Sequence, residues 1–183
     1  DRFDVFEIDF AESDDGFRRI KPKSIWIEKS LANEAGTLEY KDLMDGIPFD
    51  NPKPTDLIRH CLAQTTTEDD LVLDYFAGSG TTGQAVMEAN REEGGRRRFI
   101  LVQLPEPTAL SAFPTIADIT KERLRRSAIR LRQETPILQS DLGFRVFKLD
   151  SSNIRAWDPD RGDLPKSLLD STEHLKRDRS EQD

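Results

Sequence analysis

Residues that build disulfides and metal clusters are scarce in this chain of 183 residues, which has one cysteine, Cys61, and two histidines. A single cysteine excludes an internal disulfide, and one cysteine with two histidines excludes a cysteine/histidine metal cluster. No run of apolar residues reaches the roughly 18 residues that a membrane-spanning helix needs. Stability must therefore come from the apolar core of an ordinary globular domain, for which the length suffices.

Charged residues, in contrast, are abundant: they make up 34% of the chain, against 36% hydrophobic residues, and the formal net charge is -8. This acidic excess disfavours nucleic-acid binding by the chain alone, because neutralising phosphates needs clustered Lys and Arg. Basic clusters do occur at residues 96–98 and along residues 121–132. We interpret both as solvated surfaces rather than DNA contacts, the second because Glu122 and Glu134 can pair with it.

A strand, a helix and a second strand are predicted in succession at the centre of the chain. Residues 71–75 form a short apolar run that is typical of a strand covered on both faces. Residues 81–93 have helical spacing and end at the pair Gly94-Gly95, and residues 98–104 form a second apolar run. This succession predicts a parallel sheet in an α/β fold.

Outside this unit the pattern is less regular. Two predicted strands, at residues 3–10 and 17–27, can pair as a hairpin around a turn at residues 13–16. From residue 158 the chain is strongly charged and is predicted to form a loosely attached tail. The other predicted elements are a short helix within residues 33–44, a helix at residues 54–61, a loop at residues 105–114, a helix at residues 115–133, a strand at residues 143–149 and a short helix near residues 168–175.

The glycine-rich segment after the first strand is the strongest functional signal, since glycines let a backbone turn sharply close to a ligand. Three cofactors compete for it. A nucleoside triphosphate is excluded, because Gln84 stands where the pattern G-x-x-x-x-G-K-[ST] requires lysine. A dinucleotide stays open: Gly78, Gly80 and Gly83 satisfy G-x-G-x-x-G, although Gln103 rather than an acid ends the next strand.

S-adenosylmethionine (SAM) is the third candidate, and polar residues at the two strand ends favour it. Asp74, which ends the first strand, is suited to accept the ammonium group of the methionine part. Gln103 and Glu106, which follow the second strand, are suited to accept ribose hydroxyls. The alternative role of Asp74 is a turn cap, and that of Glu106 is a solvated loop residue.

Two motifs in this region resemble those of the DNA amino-methyltransferases. Residues 74–82, Asp-Tyr-Phe-Ala-Gly-Ser-Gly-Thr-Thr, are similar to that family's SAM-binding motif, D-x-F-x-G-S-G-T-T. Residues 49–54, Phe-Asp-Asn-Pro-Lys-Pro, resemble its other cofactor motif, an aromatic residue followed by a Lys-Pro pair. In the β-class members of the family this second motif precedes the glycine motif, as it does here.

Further matches favour one subgroup, the modification (Mod) subunits of type III restriction-modification systems. They lie at residues 97–106, 116–123 and 141–149, with Ser152 and Asn153. The resemblance implies a Rossmann-like methyltransferase fold, a doubly wound and mostly parallel α/β sheet, of which this chain encodes a part. It also implies transfer of a methyl group from SAM to the exocyclic amine of an adenine that is flipped out of DNA.

The same resemblance implies a domain organisation and a set of partners. Residues 1–48 would be a β-hairpin and connector, residues 49–150 the SAM-binding α/β domain and residues 151–183 a charged tail. The implied partners are double-stranded DNA through the full-length protein, the remainder of the methyltransferase, a second copy in a homodimer and a restriction subunit. The implied location is the cytoplasm of a prokaryote, with no membrane partner.

The family's catalytic motif, [D/N/S]-Pro-Pro-aromatic, is missing: the chain has no Pro-Pro pair, and the nearest string, residues 157–160, does not qualify. In the β-class order this motif and the target-recognition region precede the Lys-Pro motif. We therefore interpret the chain as the C-terminal, SAM-binding part of a longer enzyme. Alone it is expected to be inactive and to self-associate through an exposed apolar sheet edge. The alternatives are a dinucleotide-binding oxidoreductase fragment and a non-catalytic SAM-binding module.

The predicted site therefore binds a cofactor and contains neither a catalytic nor a metal-ligating residue. The residues predicted to bind the cofactor are Phe49, Pro52, Lys53, Pro54, Thr55, Asp74, Tyr75, Phe76, Ala77, Gly78, Ser79, Gly80, Thr81, Gln103 and Glu106.

Overall fold

The computed structural model describes residues 12–13, 16–17, 25–135, 141–149 and 162–170. They form helices and short strands, and contacts divide the chain into two units, Asp1–Gly143 and Phe144–Asp183. The elements are β1 (Glu12–Ser13), β2 (Gly16–Phe17), α1 (Asn33–Met44), α2 (Thr55–Thr65), β3 (Leu71–Asp74), α3 (Thr81–Glu93), β4 (Arg98–Leu101), β5 (Pro107–Leu110), β6 (Phe113–Thr115), α4 (Ile116–Glu134) and α5 (Leu164–Asp170).

The predicted strand–helix–strand unit is confirmed. β3 and β4 pair in parallel, with Leu71 opposite Arg98 and Asp74 opposite Leu101, and α3 connects them. The apolar side of α3 faces the strands, where Ala85 and Val86 pack in one cluster with Leu62 of α2 and are buried. Helix α3 ends where it was predicted to end, because Gly94 takes the left-handed conformation that terminates many helices.

One face of this small sheet is exposed, so the described part of the chain does not cover the strand on both faces as the apolar run predicted. Leu71 and Leu73 of β3 are 51% and 46% exposed, and Ile100 of β4 is 47% exposed. Val72 and Phe99, which point to the other face, pack against the cluster under α3. Among the described residues, helices cover the sheet on one side, and apolar residues on its other side face solvent.

A second apolar cluster joins α1 to α4. Tyr40 and Met44 of α1 pack with Ile119 of α4, and all three are almost completely buried. Phe49 and Phe113 pack against this cluster from the segments before α2 and before α4. Residues 33–44, for which a loop with a short helix was predicted, therefore form a full helix whose inner side is held by tertiary packing.

Helix α4 begins as predicted, because Thr115 and Asp118 form a capping box. The Asp118 backbone N–H donates to Thr115 Oγ1 at 3.3 Å, and the Thr115 N–H donates to Asp118 Oδ2 at 3.0 Å. The Lys121 ammonium and the Thr115 hydroxyl, both donating to the carboxylate, lower the pKa of Asp118 to about 2. The negative charge at this helix start also interacts favourably with the helix dipole.

Residues 105–114, predicted as a loop, instead contain most of an antiparallel hairpin formed by β5 and β6. Pro107 pairs with Thr115 and Leu110 with Phe113, and the Thr108 hydroxyl donates to the Phe113 carbonyl. Pro107 of β5 and Pro114 of β6 are tolerated because both strands of a two-stranded ribbon are edge strands.

The predictions for elements near the two ends of the chain are confirmed only in part. β1 and β2 pair on either side of the predicted turn, while the predicted strand at residues 3–10 lies outside the described residues. The described residues 141–149 form no strand, so the strand predicted at residues 143–149 is wrong. In the second unit, α5 begins earlier than the helix predicted near residues 168–175. No helix in the described ranges combines the length and apolar character that crossing a bilayer requires.

Candidate functional site

The carboxyl ends of β3 and β4 meet at one edge of the parallel pair. The Val102 N–H donates to the Asp74 carbonyl at 2.8 Å, which continues the pairing past the last strand residue. Gln103 then joins the two ends: its Oε1 accepts from the Gly78 N–H at 2.8 Å, and its Nε2 lies 3.3 Å from Glu106 Oε2. Ligands of open α/β sheets bind at such an edge.

The glycine turn that follows β3 is tightly held against α4. Gly78 and Gly80 both have positive φ, 52° and 89°. The Thr120 hydroxyl of α4 donates to the Gly78 carbonyl at 2.6 Å, and a Cβ at Gly80 would lie 3.1 Å from Thr120 Cγ2. Left-handed backbone and close approach together require glycine at residue 80. Helix α3 then begins at Thr81, so the first-turn N–H groups, which have no partner inside the helix, directly follow the glycine turn.

Asp74 connects the strand end to the first turn of α3. Its Oδ1 accepts from the Phe76 N–H at 3.0 Å, and its Oδ2 accepts from the Thr82 hydroxyl at 2.5 Å. Asp74 thus has the turn-capping role that the sequence left as an alternative. A carboxylate has about four acceptor positions, so capping two donors leaves capacity for a ligand cation.

The Lys-Pro segment lies directly against the glycine turn. The Thr81 hydroxyl donates to the Lys53 carbonyl at 3.2 Å across 28 positions of sequence. The Phe49 ring packs on Tyr40, 5.8 Å between centroids, and its Cζ lies 3.5 Å from where a Cβ on Gly78 would be. The two segments predicted to bind one cofactor therefore meet in the structure.

Gly36, which the sequence analysis did not single out, lets α1 approach the Lys-Pro segment. A Cβ at Gly36 would lie 2.4 Å from the Pro52 carbonyl oxygen and 2.5 Å from the Pro54 nitrogen. Pro52 and Pro54 are themselves fully buried. A glycine inside a helix costs about 0.5–1 kcal/mol relative to alanine, so its presence within residues 33–44 was an available signal of close contact.

A buried arginine is the second feature missed from the sequence. Arg123 of α4 has no exposed surface. Its Nη1 donates to Ser79 Oγ at 2.8 Å and to Thr81 Oγ1 at 2.7 Å, within the glycine turn. Its Nε donates to Gln84 Oε1 at 2.8 Å, and its Nη2 donates to Glu39 Oε1 at 3.1 Å. Burial lowers the pKa of Arg123, and the Glu39 carboxylate opposes that shift.

The interpretation of the basic run in α4 as a solvated surface is therefore wrong for Arg123. Other cations of the helix do form exposed or half-exposed ion pairs, as Lys121 does with Asp118. The signal for Arg123 was its position: it lies four residues after Ile119 and eight before Leu131, both of which are buried. Four-residue spacing places side chains on one helix face.

Glu39 of α1 receives hydrogen bonds from three elements. Besides Arg123, the Thr55 N–H donates to Glu39 Oε2 at 2.9 Å, and the Thr55 hydroxyl donates to Oε1. Gln84 Nε2 also donates to Glu39 Oε1 at 2.9 Å, and at the same distance to Glu88 Oε1. Burial raises the pKa of Glu88. Glu39 thereby links the start of α2 to α3 and α4.

A cavity of about 370 Å³ borders this polar network on the side of the four helices. Glu39 and Glu88 line it together with ion-paired residues such as Arg59 and Arg91. Of the described residues predicted to bind the cofactor, Thr55 is the one that borders this cavity. The cavity is therefore separate from the edge where the strand ends and the two motif segments meet.

The predicted cofactor residues differ in exposure. Tyr75 and Phe76 are 66% and 89% exposed at the mouth of the turn. The buried members are Pro52, Pro54, Thr55, Ala77, Ser79, Gly80 and Thr81; the half-buried ones are Phe49, Asp74, Gly78 and Gln103; the exposed ones are Lys53, Tyr75, Phe76 and Glu106.

The sequence profile of the DNA methylase family matches residues 10–122, more than half of the chain. The Mod subunit of the type III restriction-modification enzyme StyLTI, from Salmonella typhimurium, is 37% identical over 134 residues, which are 70% of this chain and 21% of that protein. The EcoPI Mod subunit of Escherichia phage P1 is also 37% identical, over 69% of this chain and 20% of that protein.

A type II methyltransferase, M.KpnI of Klebsiella pneumoniae, is 35% identical over 58% of this chain and 27% of its own length. The chain thus spans roughly a fifth to a quarter of the curated relatives it matches. The resemblance to the Mod subunits of type III systems, first based on short motifs, is confirmed by these matches.

Proposed function

Because the chain belongs to the DNA methylase family, we propose that it forms the SAM-binding part of a site-specific DNA adenine methyltransferase. The observation that carries the proposal is the meeting of the two motif segments. The Thr81 hydroxyl of one contacts the Lys53 carbonyl of the other, and Phe49 lies beside Gly78, all at the carboxyl ends of parallel strands.

The residues at this edge fit the parts of SAM. The Asp74 carboxylate has acceptor capacity beyond its two donors and suits the ammonium group of the methionine part. Gln103 and Glu106 supply amide and carboxylate oxygens that suit the ribose hydroxyls. The exposed ring of Phe76 is free to stack on the ligand. SAM supplies the methyl group that the complete enzyme transfers to the adenine amine.

The exposed face of β3 and β4 supports the larger fold that we propose, a doubly wound and mostly parallel sheet. Such a sheet has helices on both faces, whereas the described residues cover one. Leu71, Leu73 and Ile100 would then be covered by a second helical layer. Within this fold we assign residues 1–48 to a connector, residues 49–150 to the SAM-binding domain and residues 151–183 to a charged tail.

The activity and partners of the whole enzyme follow as proposals from the relatives. Two of the relatives described above are named as Mod subunits of type III restriction-modification enzymes. By analogy, double-stranded DNA, a second copy and a restriction subunit are the proposed partners, in the cytoplasm of a prokaryote. Since the chain has no Pro-Pro pair, we expect no methyl transfer from the purified chain alone.

Calorimetric titration of the purified chain with SAM tests the proposal, with NAD as the competing ligand. Asp74→Asn removes the charge but keeps an acceptor for the turn, and we expect it to abolish measurable SAM binding. Asp70→Asn is the matched control: Asp70 caps a turn through the Thr67 N–H at 2.7 Å just before the same strand. We expect this variant to bind SAM normally.

Other results would contradict the proposal. Binding of NAD instead of SAM would identify a dinucleotide site. If Asp74→Asn and Asp70→Asn bind SAM with equal affinity, the Asp74 carboxylate does not contribute to SAM binding. Circular dichroism tests whether each variant and the native chain are folded. If the folded native chain binds neither SAM nor NAD, the result counts against cofactor binding by this chain.

A further inference from the structure

The positive charge of Arg123 lies beneath the glycine turn and is shielded from solvent. A buried charge is costly unless it is paired and hydrogen-bonded. Arg123 meets both conditions, with an ion pair to Glu39 at 3.1 Å and hydrogen bonds to three further side chains. Its guanidinium carbon also lies 5.5 Å from the centre of the Tyr40 ring, on the face side where cations are attracted.

These contacts reach both cofactor segments. Ser79 and Thr81, which accept from Arg123, belong to the glycine turn. Thr55, which donates twice to Glu39, follows directly after the Lys-Pro pair. The Glu39–Arg123 pair therefore connects the two segments, in addition to the direct hydrogen bond from the Thr81 hydroxyl to the Lys53 carbonyl.

We propose that Arg123 is a positioning residue for the cofactor turn: paired with Glu39, it orders Ser79 to Thr81 against the segment that ends at Thr55 and so raises the affinity for SAM. The identity of the ligand rests on the proposed function. The ordering of the turn does not, and it can be measured without any ligand.

Arginine is suited to this role and lysine is not. The guanidinium donates in three directions at once, from Nε and from both terminal nitrogens, in a fixed planar fork. Each donor here has its own acceptor on a different element: Gln84 of α3, the glycine turn, and Glu39 of α1. A lysine ammonium, one point charge on a flexible stem, cannot reach all of them. A direct DNA contact is ruled out, because Arg123 has no exposed surface.

Arg97 offers a matched control, because it is also a buried arginine in an ion pair. Its side chain is 4% exposed, its Nη1 lies 2.7 Å from Glu93 Oε2, and its Nε donates to Thr66 Oγ1 at 2.9 Å. It lies just before β4, at the end of the strands away from the glycine turn. A variant of Arg97 thus separates the general effect of losing a buried arginine from the specific effect of losing Arg123.

The test combines amide hydrogen exchange of the unliganded chain with SAM titration, for Arg123→Lys, Glu39→Gln and Arg97→Lys. We expect Arg123→Lys and Glu39→Gln to raise exchange at residues 78–84 and at Thr55. Their SAM affinity should fall about tenfold or more, which corresponds to losing one hydrogen bond to a charged group. Arg97→Lys should raise exchange near Thr66 instead and keep SAM affinity within about twofold, since it touches neither segment.

Glu39→Gln keeps the size and most hydrogen bonds of the side chain, so it provides the test if Arg123→Lys does not fold. Unchanged exchange at residues 78–84 in both variants, or unchanged SAM affinity, would overturn the inference. An equal loss of SAM affinity in Arg97→Lys would overturn it too, because the effect would then be general destabilisation. If the variants show that the ordering of residues 78–84 depends on Arg123 but the native chain does not bind SAM, the positioning role stands and the proposed function fails.

Discussion

Replacing Gly36 by alanine should destabilise the chain, although alanine is the better helix former. In an ordinary helix interior the exchange gains about 1 kcal/mol. Here the added Cβ would lie 2.4 Å from the Pro52 carbonyl oxygen, 2.5 Å from the Pro54 nitrogen and 2.7 Å from the Lys53 carbonyl carbon. These are backbone atoms of a buried segment, so α1 and the segment must separate by about 1 Å to restore van der Waals contact.

Gly83 of α3 is the matched control, because it is also a helical glycine with a close neighbour. A Cβ there would lie 2.5 Å from Leu124 Cδ2 and 3.1 Å from Leu101 Cδ1. Both are the ends of flexible side chains, which can rotate away. Overpacking costs about 1–3 kcal/mol, and we assign the upper part of that range to Gly36→Ala and the lower part to Gly83→Ala.

After the gain in helix propensity, we expect Gly36→Ala to lower the free energy of unfolding by about 1–2 kcal/mol and Gly83→Ala to change it by less than about 1 kcal/mol. Urea denaturation followed by circular dichroism measures both. Gly36→Ala should also weaken SAM binding, because it displaces the Lys-Pro segment. If Gly36→Ala is as stable as Gly83→Ala, the close approach of α1 to Pro52 is wrong.

Two further predictions concern Glu88 and the exposed sheet face. Burial raises the pKa of Glu88 above 4.5, its ordinary value, so its charged form opposes folding near pH 7, and that penalty disappears below about pH 4. Glu88→Gln should therefore raise the urea midpoint at neutral pH and not at acid pH; equal gains at both would contradict a titrating group. Leu73→Lys should reduce self-association in sedimentation with little loss of stability, because Leu73 is 46% exposed. Val72→Lys, on the covered face of the same strand, should unfold the chain; if both variants behave alike, the two faces are not distinct.

The parts of the fold that the sequence predicted well depend on short-range signals. Helix α3 was found to the residue because its apolar spacing lies within the helix itself and Gly94, which ends it, follows directly. Helix α4 was found within one residue from its apolar spacing, and Thr115 and Asp118 cap its start locally. The parallel pairing of β3 and β4 followed from the chain order of strand, helix and strand.

The predictions that were wrong concern what other parts of the chain provide. Apolar residues at 71–75 indicated a strand covered twice, but covering is decided by neighbours, and Leu71 and Leu73 face solvent. Residues 143–149 alternate like a strand, yet an alternating segment becomes a strand only with a pairing partner. A basic run is predicted to lie on the surface because most charged side chains are solvated. The sequence around Arg123 does not indicate that Glu39, 84 positions earlier, is its ion-pair partner.

The candidate site shows the same division. Its glycine turn and Lys-Pro segment were predicted from motifs, and their meeting supports the assignment. The role of each residue towards a cofactor stays a prediction. Gly36 lies outside every motif, and Arg123 lies outside the two cofactor motifs, because what they contribute is the space and the charge that the cofactor residues need from other helices.

The span between Glu39 and Arg123 has a consequence for how this pocket comes into being. The two partners are 84 positions apart, and the glycine turn lies between them. As the polypeptide leaves the ribosome, every predicted cofactor residue has emerged well before Arg123 does. The glycine turn can therefore become fully ordered only after α4 has been synthesised, and its ordering belongs to the late, long-range stage of folding. A shortened polypeptide that stops after Glu106 would contain every residue predicted to bind the cofactor and still lack the Arg123 side chain that holds the glycine turn.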